Sequence, residues 1–139
     1  MTSMESELLE LVFEKLDVRT ATTVAQTVVG SIVGPPTKGH GVREIEMKSL
    51  SLGEGVVLGD VHVRCLRYDG DFYDVEINFR LKDSVAPSTK ALVEALHAFA
   101  CRLADHAGVE SYFAGLEPAA DEDTRIFTGK DEGPYYRLA

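Results

Sequence analysis

Between residues 73 and 81, Tyr73, Val75, Ile77, Phe79 and Leu81 alternate with Asp74, Glu76, Asn78 and Arg80. A period of two belongs to a strand with one buried and one wet face. The stretch from Arg43 to Lys82 reads as three consecutive antiparallel strands, of which this is the last. The predicted class is therefore α+β, an antiparallel three- to four-stranded meander packed on one face by amphipathic helices.

The register follows from requiring the apolar residues to share a face. Val61, Val63 and Cys65 must lie with Val75, Ile77 and Phe79, which rejects a two-residue Asp69-Gly70 loop because it would set Cys65 opposite Asp74. A three-residue loop, Asp69-Gly70-Asp71, pairs Cys65 with Val75, Val63 with Ile77 and Val61 with Phe79, and places Arg64 by Glu76 and His62 by Asn78 on the other face. For the preceding turn, Gly53-Glu54-Gly55, the same reasoning sets Leu52 opposite Val56, Met47 opposite Val61 and Ile45 opposite Val63. Lys48 then meets Asp60, Glu46 meets His62 and Glu44 meets Arg64. Each exposed pair contributes only about 0.2 to 1 kcal/mol, so the matched charges are evidence of register more than of stability. Leu50 and Leu58 pair on the wet face, which implies that another part of the fold covers the end of the sheet near Gly53.

Met4 to Leu16 carries Leu8, Leu9, Val12, Phe13 and Leu16 among acidic residues, the spacing of an amphipathic helix with Ser3 or Ser6 as its cap. Thr20 to Val33 suits a helix through Val24, Val28 and Ile32, and a strand through its Thr and Val content; helix is preferred. Residues Gly34 to Gly41 form a loop. Pro87 and Gly108 bracket a further helix with Leu92, Leu96, Phe99 and Leu103 as its core stripe. Val109 to Leu116 reads as a fourth strand. Beyond Pro118, Ile126 and Phe127 interrupt a polar, acidic segment that forms either a hairpin pinned by Tyr135 and Tyr136 or a partly ordered tail.

At 139 residues the chain is expected to form a single domain, 1–139, with an acidic C-terminal segment from about residue 118. The formal charge of -9 argues against nucleic acid or an anionic membrane as partner. Cys65 and Cys101 show no metal spacing and suit two reduced thiols in a cytoplasmic protein. Neither a metal nor another cofactor is expected, and no catalytic residues are assigned. His97 and His106 fall on opposite sides of one helix; Asp121, Asp123 and Glu132 match three positions of a calcium loop, but Ile126 stands where its glycine must be. Gly39-His40-Gly41 lacks a phosphate-loop pattern.

Two clusters remain. Asp121, Glu122, Asp123, Asp131, Glu132, Tyr135 and Tyr136 combine negative charge with aromatic anchor area, which suits a basic protein surface. Glu44, Glu46, His62, Arg64, Glu76 and Asn78 gather on the polar sheet face. The favoured reading is a non-catalytic cytoplasmic protein-binding module, of the immunity or antitoxin type, that masks a basic partner by charge complementarity. The alternatives are a small-molecule binder or enzyme with a pocket between sheet and helices, and a structural subunit forming a homo-oligomer through Leu50, Leu52, Val56 and Leu58.

Overall fold

A computed structural model describes residues 8–30, 42–67 and 72–138. Seven strands form one sheet: β1 (Leu8–Leu16), β2 (Val42–Gly53), β3 (Val56–Arg67), β4 (Tyr73–Val85), β5 (Ser111–Leu116), β6 (Arg125–Thr128) and β7 (Asp131–Glu132). Their order is β2-β3-β4-β1-β5-β6-β7, antiparallel throughout. Helices α1 (Val18–Val29) and α2 (Thr89–Ala107) pack on one face. The α+β class with helices on a sheet therefore holds, but the sheet has seven strands, more than the three or four expected.

The difference begins at β1. Where a helix was expected from Met4 to Leu16, residues 8–16 form a strand in the middle of the sheet, paired with β4 and β5. Leu9, Leu11 and Phe13 enter the core beneath the helices, while Val12 packs on the other face against Phe113 and Ala119. A strand covered on both faces needs apolar residues at consecutive positions, and a short apolar run then mimics a helical stripe. Ser3 and Ser6, the expected caps, lie outside the described residues, as do the Gly34 to Gly41 loop and the Asp69-Gly70-Asp71 turn.

The expected register holds along most of the meander. Cys65 pairs with Val75, Val63 with Ile77, His62 with Asn78 and Arg64 with Glu76; Ile45 pairs with Val63, Met47 with Val61, Glu46 with His62 and Glu44 with Arg64. Two local corrections apply. At the β2–β3 turn Val56 pairs with Gly53, not Leu52, because Glu54 and Gly55 both take positive φ, 54° and 80°, as a two-residue primed turn requires. A bulge before Gly53 absorbs the extra residue and leaves the rest in register.

The second correction lies at Gly59-Asp60, where β3 shifts against β4 and Asp60 takes φ 52°. The expected Val61–Phe79 pairing falls inside this irregularity, and Asp60 reaches His62 and Arg80, at 3.2 and 3.4 Å, in place of Lys48. Gly59 donates its amide to Ser84 Oγ, and a Cβ there would collide with the Asp83 carbonyl, so only glycine lets β4 fold back this closely. Leu50 does pair with Leu58, yet Leu58 is fully buried and Leu50 packs on the core, with Leu52 and Val56 beside α2. The cover expected over this end of the sheet is α2. Of the four apolar residues on which self-association would rest, Leu52, Val56 and Leu58 are thus core residues and Leu50 is half-buried against them.

The helices are bounded by their own chemistry. Asp17 accepts the Thr20 amide at the start of α1 and Gly30, φ 78°, ends it, confirming helix over the ambiguous segment as far as Val29. Ser88 caps α2 through the Ala91 amide and Gly108 closes it. Leu92, Leu96 and Leu103 are buried as expected, joined by Val93, Ala100 and Ala104, while Phe99 is half-buried. The space between helices and sheet is filled by Phe13, Phe79, Ile77, Leu92 and Leu96. No helix among the described residues is long and apolar enough to cross a membrane.

The expected fourth strand is β5, but it adds beside β1 and does not extend the meander. The C-terminal segment takes the hairpin form, β6 with β7, and its aromatics do pin it. His97 of α2 stacks on Phe127 at 4.2 Å and meets Tyr136 edge-on. Its Nε2–H donates to the Gly129 carbonyl at 2.9 Å, because a carbonyl only accepts, which leaves Nδ1 to accept from the Tyr136 hydroxyl at 3.4 Å.

Candidate functional site

The face opposite α1 and α2 carries two rungs of side chains that cross six strands each. Cross-strand partners run Glu46, His62, Asn78, Glu10, Gly115, Arg125 along one, and Glu44, Arg64, Glu76, Val12, Phe113, Thr128 along the other. All six residues expected to cluster on the polar sheet face are therefore brought together. Their side chains do not all follow the backbone pairing: Arg64 meets its cross-strand partner Glu76 at 3.4 Å, but Glu44 reaches diagonally to His62 Nδ1 at 3.1 Å.

His62 sits among carboxylates, with Asp60 on Nε2 at 3.2 Å, Glu44 on Nδ1 and Glu46 at 4.0 Å. Two acceptors on the two ring nitrogens are both satisfied only by the doubly protonated ring. Burial opposes that charge, but the bonds to Asp60 and Glu44 outweigh it, and the His62 pKa lies above its ordinary value.

The centre of this face is buried. Glu10, Asp74 and Asn78 are each only 8% exposed. Burial, reinforced by the neighbouring Glu76 and Glu117 charges, raises the Glu10 pKa against the bond its Oε1 accepts from the Ala119 amide. Burial likewise raises Glu76, with Arg64 opposing it, and lifts Asp74 to about 6 although Asp74 accepts the Lys15 amide at 3.1 Å. Asn78 Oδ1 is buried and accepts no hydrogen bond from the described residues. Carboxylates are thus held here at a cost to their ionised form.

At one end the face is closed by residues 117–124. Ala119 packs on Val12 and Phe113, and the Arg125 guanidinium lies 4.0 Å over the Phe113 ring while its Nε donates to the Ala119 carbonyl at 3.0 Å. Gly115 makes the crossing possible, since a Cβ there would stand 2.9 Å from the Thr124 carbonyl oxygen.

The acidic and aromatic C-terminal cluster is divided by the fold. Asp121, Glu122 and Asp123 are exposed at the Arg125 end of β6, on the loop tied to Glu10, with Asp121 accepting the Asp123 amide. Asp131 is exposed at the far end of β6, opposite Thr128. Glu132 pairs with Arg137 at 3.3 Å and shares a cleft beside α2 with Lys90, Glu94 and Tyr136. Tyr136 is engaged with His97, and half-buried Tyr135 donates its amide to the Arg125 carbonyl.

Glu10 and Asp74 join the polar face without having been singled out in the sequence. Asp74 stood in the β4 alternation, and Glu10 is the lone charge in Leu8-Leu9-Glu10-Leu11-Val12-Phe13, a signal obscured by the helical reading. Cys65 lies on the core side, its thiol pushed up to about 11 by burial and by Asp74, and Cys101 is likewise unpaired. Among the described residues no group of three His, Cys, Asp or Glu side chains is arranged to hold a metal ion.

A family model described as PABL017 Cdi1I immunity protein matches residues 37–132. Among solved structures, a chain from the crystal structure of the toxic C-terminal tip of CdiA from Pseudomonas aeruginosa in complex with immune protein is similar in fold. It has a TM-score of 0.71 and 21% identity, with 92% of this chain and 97% of that chain covered. No curated protein matches.

Proposed function

The chain belongs to the family of the PABL017 Cdi1I immunity protein, and from that premise we propose that it binds a toxin domain and masks it. The match over residues 37–132, well over half of the chain, carries this reading. It is a non-catalytic module that works by occupying its partner's surface. The partner is basic: a formal charge of -9 makes a positive surface its natural complement and steers encounter at low salt. The same charge disfavours nucleic acid and anionic membranes as competing partners. Two unpaired cysteines suit a reducing compartment, and we place the protein in the cytoplasm.

The test is to express a toxic CdiA tip from the strain that carries this chain, with and without the chain. Growth rescued by the chain, together with a purified complex whose Kd rises at least tenfold between 50 and 300 mM NaCl, is the expected result. Rescue without salt sensitivity would remove the basic-partner element. No rescue and no complex would remove the reading.

A further inference from the structure

We propose that the buried centre of the polar face, built by Glu10, Glu76 and Asn78, seats a basic side chain, an arginine or a lysine, presented by the toxin. This deepens the toxin-binding reading and rests on it.

The three residues are contiguous. Asn78 faces Glu10 across the β1–β4 pairing, and Glu76 is the next residue along β4 on the same face. What they offer is acceptors. Glu10 Oε1 takes the Ala119 amide and Glu76 Oε1 takes Arg64, which leaves each carboxylate a second oxygen. Asn78, more than nine-tenths buried, holds Oδ1 with no donor among the described residues. Buried polar groups are otherwise almost always paired, so an orphan acceptor beside two carboxylates marks a place for a donor that the described residues do not supply.

Local cations do not fill that role. Arg64 is bonded to Glu76, and Arg125 is engaged with the Phe113 ring, the Ala119 carbonyl and Thr128 Oγ1. Arg80 is paired with Asp60, and the His62 ring, across from Asn78, is held by Asp60 and Glu44. The centre therefore stays short of positive charge, and exposed Glu44 and Glu46 continue the negative surface to one side. A guanidinium, with five donors in a planar fork, or an ammonium, with three, matches two carboxylates beside an unpaired amide oxygen; a neutral hydroxyl would satisfy one acceptor and leave the charge. The raised pKa values of Glu10 and Glu76 fit carboxylates that await a counter-charge. Sites of this kind trade stability of the free protein for affinity, which supplies a signature that a merely structural role would not give.

The experiment measures the Kd of the toxic tip for wild type and for Glu10→Gln, Glu76→Gln and Asn78→Leu, with Glu94→Gln and Asp105→Asn on α2 as controls, and records the Tm of each free protein. The seat predicts at least tenfold weaker binding for each of the first three, a smaller salt dependence for the two Gln variants, control affinities within twofold of wild type, and no loss of Tm in Glu10→Gln. Should Glu76→Gln unfold because Arg64 loses its partner, Glu10→Gln and Asn78→Leu decide. Wild-type binding with all folded polar-face variants within twofold overturns the seat alone. Absence of wild-type binding overturns the toxin-binding reading and the seat with it.

Discussion

Asp74 is a buried carboxylate whose replacement by asparagine is expected to stabilise the protein at neutral pH. Burial lifts its pKa from an ordinary 3.8 to about 6, against the stabilising bond from the Lys15 amide and with Glu14 adding repulsion. A carboxyl that holds its proton more tightly in the folded state favours folding at low pH. Stability from this group therefore declines as pH rises from about 4 to about 6 and is level above that. Each pH unit of that interval is worth about 1.4 kcal/mol, which sets a ceiling of about 3 kcal/mol. Asparagine keeps an oxygen for the Lys15 amide, discards the charge and brings an NH2 that needs its own partner, so a gain of about 1 to 2 kcal/mol at pH 7.5 is expected, a Tm rise of roughly 3 to 6 °C. Urea denaturation of wild type and Asp74→Asn at pH 7.5 and 4.5 checks the sign. The difference between the two proteins, in which groups that do not sense Asp74 cancel, should shrink by more than half at pH 4.5. A variant that is no more stable at pH 7.5, or one whose advantage ignores pH, would refute the argument by showing that the bond to Lys15 outweighs the burial of the charge.

Three further perturbations address the scaffold. Gly59→Ala drives a Cβ into the Asp83 backbone and should cost more than about 2 kcal/mol in a urea titration, whereas an alanine accepted within about 0.5 kcal/mol would show that β4 does not fold back as described. Ser88→Ala removes the acceptor for the Ala91 amide and should cost about 1 kcal/mol, read as a lower urea midpoint with an unchanged slope. His97→Ala should leave the sheet cooperative but speed hydrogen exchange at the Gly133 and Tyr135 amides by tenfold or more, since the ring's contacts with Phe127, Gly129 and Tyr136 hold the last hairpin to α2. Exchange there equal to wild type would place the anchoring elsewhere.

How much of this was readable in the residues depended on where each strand sits. β4 declared itself because Val75, Ile77 and Phe79 face the helices while Glu76 and Asn78 do not, so period two survives in the letters. The register of the meander followed from it, and with it the six residues of the polar face. β1 is covered on both sides, so its letters run apolar and carry no period; the same coverage hid Glu10. β6 and β7 are four and two residues long, too short for any period to register. The irregularity at Gly59-Asp60 depends on an aspartate at positive φ, for which one sequence offers no sign. The C-terminal acids were legible as charge, but their division between the loop by Glu10 and the cleft by α2 comes from the path of β6 and β7.

The place of β1 in the strand order bears on when the molecule comes into being. Translated ahead of every other described strand, it lies between β4 and β5 and, among the described residues, is the only strand that links the β2–β4 meander to the β5–β7 half of the sheet. Residues 8–16 must therefore wait for residues 73–80 and then for 111–116 before their two edges are satisfied. Assembly on the ribosome is a closing step, with long loops to shut and little reward until late. The polar centre inherits that timing, because Glu10 comes from the strand that waits while Glu76 and Asn78 come from the one it waits for. The proposed seat exists only in chains whose halves have been joined.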